Sequence, residues 1–138
     1  MEQRLSLVTL GVDDLARARR FYETGLGWAP AAVHEGVTFY QLTGIAFALW
    51  DRAEMAAEVP VPAGNGFGGV TIAVNQRSEA DVDAALAAAA AAGGTVLRPA
   101  EHTDWGGYSG YFADPDGHVW EVAVNPAWTV NPDGTLTI

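Results

Sequence analysis

Short runs of β-branched and apolar residues alternate with stretches in which apolar side chains recur every three or four positions, and the pattern occurs twice. Residues 5–12 are mostly apolar or β-branched, which predicts a strand. Asp13 or Asp14 then stands where a helix cap belongs. Leu15, Ala18, Phe21 and Tyr22 form the apolar stripe of a helix that runs to about Thr24 and stops at Gly25. After a connector or short strand over residues 27–32, residues 37–42 and 45–50 predict a hairpin turning at Thr43 and Gly44, and residues 52–58 a short helix.

The order then returns. VTLGV at residues 8–12 becomes VTIAV at residues 70–74, an offset of 62 (70 − 8) in a chain of 138 residues. The second strand leads into a helix capped by Ser78, with Asp81 as the acid three residues on. Val82 and Leu86 face the core, and Gly93 and Gly94 end the helix. Residues 95–98 read as a strand. Residues 108–113 and 118–124 read as a hairpin across the turn Asp114-Pro115-Asp116-Gly117.

Two βαβββ modules, each too small to bury a core alone, predict an α+β fold. In it, mixed sheets curl into a cup around a cavity suited to a ligand. Module one covers about 5–59, a linker with Pro60, Pro62 and several glycines about 60–69, and module two about 70–126. A tail over 127–138, with a turn at residues 131–134, has no counterpart in module one.

Charge and composition narrow the partners. The net charge is −10, and the bases do not cluster beyond Arg17, Arg19 and Arg20 on the first helix, so nucleic acid is excluded. A cationic or neutral small molecule suits this field. No cysteine is present, which removes disulfides and thiolate metal sites. The longest apolar tract, residues 84–92, is too short to span a bilayer, so no membrane partner is expected. The start shows no signal pattern, and the expected location is cytoplasmic.

VTLGVDDLARARRFYETGLGW, followed later by GYFADPDGHVWEVAVNP, resembles the vicinal oxygen chelate superfamily of glyoxalases, bleomycin-resistance proteins and extradiol dioxygenases. The resemblance runs to about Pro126. It implies paired βαβββ modules, a homodimer, and a divalent metal held from the first and last strands of each module. In this chain those positions fall on Leu7, on Ala48 (or Trp50 with a shifted alignment), on Gly69 and on Glu121. Of the expected set only the Glu121 carboxylate can donate to a metal, short of the three or four ligands such a site needs. No metal or other cofactor is therefore expected, unless a relocated site uses His102, Asp104 and Glu121.

The remaining candidates surround Glu121. Strand alternation that turns Glu121 into the cup also turns Val119 and Ala123 there, and sends Trp120, Val122 and Val124 toward the helices. Trp105, Tyr108 and Tyr111 lie within seven residues, separated by three glycines and one serine, where bare backbone lets flat rings approach. The resemblance also gives Tyr111, ten residues before Glu121, the place of a substrate-contacting tyrosine in fosfomycin-resistance relatives, and Ser109 shares its face. Phe39 and Trp50 are the module-one contributions to the expected ligand set. Among the histidines, His118 is expected to face solvent in its turn, His34 lies in an irregular stretch, and His102 sits on a loop before the hairpin.

Two functions follow. One is a metal-free binding protein that sequesters a flat aromatic or cationic compound between rings. The other is an enzyme of lyase, isomerase or oxygenase type, with Glu121, His102 and Tyr111 as candidate catalytic groups.

Overall fold

A computed structural model describes residues 7–58 and 70–138. The first two positions of the expected first strand, the linker and Gly69 lie outside the described residues. The chain divides into two compact units, Met1–Gly68 and Gly69–Ile138.

In the first unit, β1 (Leu7–Val12) leads to α1 (Leu15–Arg19), which continues as a π-helical segment, Arg20–Gly25. β2 (Ala32–Val33), β3 (Val37–Gln41), β4 (Ala46–Asp51) and α2 (Arg52–Glu58) follow. The sheet order is β1-β4-β3-β2, with β1 parallel to β4 and the other pairs antiparallel. Asp14 caps α1 by accepting from the Arg17 backbone N–H at 2.9 Å. Alternation divides the sheet. Leu10, Val12, Thr38, Tyr40, Phe47 and Leu49 are buried on one face, where Tyr22 of the helix meets Tyr40 and Phe47 at ring distances of 6.5 and 5.3 Å. Rings packed this way contribute about 0.5–1.5 kcal/mol per pair beyond area burial. Leu7, Ala46, Ala48, Phe39 and Trp50 share the other face.

The second unit repeats the topology. β5 (Ile72–Asn75), α3 (Glu79–Ala91), β6 (Thr95–His102), β7 (Tyr108–Ala113) and β8 (Val119–Val124) form a sheet of order β5-β8-β7-β6. Its one parallel pair is β5 with β8. The Ser78 hydroxyl accepts from the Asp81 N–H at 3.2 Å and donates to the Asp81 carboxylate at 2.7 Å, closing the cap read from the sequence. Val82, Leu86 and Ala89 of α3 are buried against the sheet face that holds Gly110, Phe112, Trp120 and Val122. A tail hairpin of β9 (Thr129–Val130) and β10 (Leu136–Thr137) closes the chain.

Two expectations change here. β6 runs to His102 rather than stopping at Arg98, so His102 ends a strand instead of sitting on a loop. Pro99 is tolerated because β6 lies at the sheet edge and shifts register on either side of Arg98. His118 does not simply face solvent. Its side chain is 22% exposed, and its Nδ1 lies 3.0 Å from the fully buried Asp114 carboxylate. Asp114 Oδ1 also accepts from the Asp116 and His118 backbone N–H groups at 2.9 Å, so one carboxylate organises the whole turn.

Among the described residues no helix is long and apolar enough to cross a membrane.

Candidate functional site

The face of the second sheet turned away from α3 is set by register. Ala73 pairs with Glu121, Glu121 with Tyr111, and Tyr111 with Arg98, while Asn75, Ala123 and Ser109 align one step along. Beside Glu121 this face opens into a cleft of about 490 Å³ lined by Ala73, Asn75, Trp105, Glu121, Trp128 and the 123, 125 and 127 side chains.

Each wall has a local cause. Trp105 sits in a turn closed by Thr103, whose N–H donates to the Gly107 carbonyl at 2.9 Å. Its hydroxyl accepts from the Gly107 N–H at 3.2 Å. The indole lies directly over Gly107, where any Cβ would run into the ring, and Gly106 turns the chain with a φ of 87° that favours glycine. Elsewhere in the lining, the Asn125 side chain accepts from the Ala127 N–H at 3.0 Å, and the Asn125 carbonyl accepts from the Trp128 N–H at 3.1 Å. That turn presents Trp128 to the cleft. Both indoles remain open to solvent, at 51% and 41% exposure, which leaves two apolar rings available for a ligand.

The floor is polar at one point. Tyr111 donates its phenolic hydrogen to Glu121 Oε1 at 2.9 Å, and the other carboxylate oxygen has no partner among the described residues. Burial, then the hydrogen bond to Glu121 and its negative charge, push the Tyr111 phenol above its ordinary pKa, with Arg98 opposing. The Arg98 guanidinium carbon lies 4.7 Å from the Tyr111 ring centre, and Arg98 Nη2 donates to the Ser109 hydroxyl at 3.0 Å. A carboxylate with one free oxygen in a cleft lined by two indoles can neutralise and orient a cation while the rings cover its apolar body.

A family model described as the Glyoxalase/Bleomycin resistance protein/Dioxygenase superfamily matches residues 4–122. The chain belongs to this superfamily. A solved structure described as a glyoxalase-related enzyme from Fulvimarina pelagi is 40% identical, with 99% of each chain covered and a TM-score of 0.92. A glyoxalase/bleomycin resistance protein from Albidiferax ferrireducens T118 is 29% identical, covering 88% of this chain and 98% of that one at a TM-score of 0.68. A lactoylglutathione lyase from Agrobacterium tumefaciens, 24% identical with 92% and 97% coverage and a TM-score of 0.70, shares the fold. No curated protein matches the chain.

The metal positions that the superfamily resemblance assigns can now be placed. Gly11 pairs with Trp50, and its repeat partner Ala73 (11 + 62) pairs with Glu121. Trp50, rather than Ala48, is therefore the structural counterpart of Glu121. An indole N–H is a donor only, and it points to Glu54 Oε2 at 3.3 Å. Leu7 and Ala48 carry no electron pair for a metal, and Gly69 has no side chain. Among the described residues no group of three or more His, Asp and Glu side chains is placed to hold a metal ion. The residues present do not fit the superfamily's metal.

Of the ligand residues expected from sequence, Trp105 and Glu121 line the cleft, and Tyr111 and Ser109 stand beside it on the same face. Ser109 is buried and bonded to Arg98. Tyr108 leaves the set. It pairs with Val124 on the helix-facing side and donates to Asp83 of α3 at 2.9 Å, because odd spacing from Tyr111 reverses its direction. His102 follows it, with its ring 5.2 Å from Tyr108 and its Nδ1 3.9 Å from Glu79. That places His102 on the opposite face from Glu121, so the relocated set of His102, Asp104 and Glu121 is not assembled. His34 is exposed against Phe39, with 6.2 Å between ring centres. Phe39 and Trp50 share a face of the first unit. Asn75, Asn125, Ala127 and Arg98 were not anticipated. Period-two counting from Glu121 along β8 and its neighbours is the signal that could have found Arg98, but the register shifts in β6 hide it.

Proposed function

We propose that this chain binds a small flat aromatic or cationic molecule in the cleft of its second unit, without a metal. The observation that carries the reading is Glu121, with one oxygen fixed by Tyr111 and the other unpartnered among the described residues, in a cleft also lined by the exposed indoles of Trp105 and Trp128. Net charge of −10 favours a cation reaching it. Sequestration is the simplest role for such a cleft.

A second reading is supported by the hydrogen-bonded Tyr111 and Glu121 pair, which could pass a proton to or from a bound compound. The description of the Fulvimarina pelagi protein as an enzyme also supports it. That reading is an acid–base enzyme of lyase or isomerase type acting through these two groups, with an oxygenase as a further variant. Titration with benzylamine, followed by tryptophan fluorescence, tests the binding reading. Saturable quenching is expected, lost in Trp105→Ala with Trp128→Ala and weakened roughly tenfold in Glu121→Gln. Absence of saturable quenching, or quenching indifferent to all three changes, rejects it.

A further inference from the structure

The row of side chains that begins in the cleft ends in a second charge. Across β8, β7 and β6 the register sets Glu121 beside Tyr111 and Tyr111 beside Arg98, so a carboxylate, a phenol and a guanidinium follow one another on one sheet face. The backbones at the two ends are two strand spacings apart, ~10 Å. Side chains narrow that gap. Tyr111 Oη reaches Glu121 at 2.9 Å, and the Arg98 guanidinium lies over the Tyr111 ring at 4.7 Å.

Arg98 is unusual for its surroundings. Residues 70–138 contain two Arg or Lys residues, and the other, Arg77, donates to the Asn131 carbonyl at 2.7 Å. Ser109 fixes Arg98 Nη2 without neutralising it. Its ion pair with Glu101 is long, 3.5 Å, between side chains 41% and 62% exposed, a geometry in which solvent screens most of the attraction. Its Nε is buried with no acceptor among the described residues. An incompletely satisfied planar cation, held in place beside an anion-floored cleft, is arranged to receive a planar anion.

We infer that the ligand is dipolar: a flat body with an ammonium at one end, held by Glu121, and a carboxylate at the other, held by Arg98. A ligand bearing only a cation leaves Arg98 with the long, solvent-screened Glu101 pair alone, and one bearing only an anion meets Glu121. This inference rests on the binding reading above and narrows it to a class of amino-carboxylates whose charges are separated by a ring or a chain of similar length.

Three matched probes test it on the full chain: benzylamine, 4-(aminomethyl)benzoate and 4-(aminomethyl)benzamide, in which a neutral amide replaces the carboxylate, with affinities from calorimetry. The benzoate is expected to bind roughly ten- to hundredfold more tightly than the benzamide or benzylamine. Arg98→Gln should bring the benzoate down to the affinity of the benzamide, and Glu121→Gln should weaken all three probes. Equal affinity of wild type for benzoate and benzamide overturns the inference even if Arg98→Gln fails to fold, and leaves simple cation binding standing. An equal loss for every probe in a folded Arg98→Gln variant overturns it as well, because the residue would then only shape the cleft. Failure of all three probes to bind rejects the binding reading itself.

Discussion

A phenol that donates to a carboxylate resists ionisation, and Tyr111 is held in that state by Glu121 and by burial. Its raised pKa means that whatever stability the bond contributes is fully present below the ordinary tyrosine value of about 10 and is lost as pH rises through the higher folded value. Tyr111 should therefore ionise later than an exposed tyrosine, and Glu121→Gln should bring its titration back down. The 295 nm absorbance difference between wild type and Tyr111→Phe, followed against pH, reads this directly. No downward movement in the glutamine variant would mean that burial alone sets the shift. At this scale the sequence was informative in proportion to parity. Glu121, Tyr111 and Ser109 are even-spaced in register and share a face, whereas Tyr108 lies three residues from Tyr111 and turns to Asp83. Reading three nearby aromatics as one cluster overlooked a rule that the strand itself imposes.

Elements meet closely where a side chain is missing. Gly110 sits in the middle of β7, and a Cβ added there would come within 2.6 Å of Leu86 Cδ1 and 2.9 Å of the Ala100 backbone nitrogen. The leucine tip can rotate, but the backbone of β6 cannot yield without disturbing its pairing. Gly110→Ala is expected to destabilise the fold by about 1–3 kcal/mol, as overpacking does elsewhere, visible as a lower urea midpoint with an unchanged slope. A midpoint equal to wild type would show that α3 and β6 have room to move apart. Helix starts were legible at this scale because a cap is a local bargain between one side chain and the next three N–H groups, as at Asp14 and Ser78. The far end of β6 was not legible. Pro99 argues against a strand in isolation, and only the edge position and the register shifts make room for it.

At the scale of the whole molecule, the tail is what separates the second unit from the first. It supplies Trp128 to the cleft, and Arg77 ties it down through the Asn131 carbonyl at 2.7 Å. Arg77→Ala should cost only about 0.5–1.5 kcal/mol, spread over the tail rather than the core. Faster amide exchange confined to residues 129–137, with weaker benzylamine binding, is the expected result. Unchanged exchange would show that the β9–β10 hairpin holds without Arg77. What the sequence determined by itself was the repeat, the order of elements within each unit, the fold class and the lack of electron-pair-donating side chains at Leu7, Ala48 and Gly69. Those follow from local periodicity, from caps and turns, and from which residue types carry electron pairs. The tertiary structure alone decided that Trp50 matches Glu121, that Tyr108 and His102 face the helix, that Asn75 and Trp128 line one cleft with Glu121, and that Arg98 lies beyond Tyr111 on the same face. These depend on strand register, where a shift of one residue reverses every side chain, and register is set by partners far away along the chain.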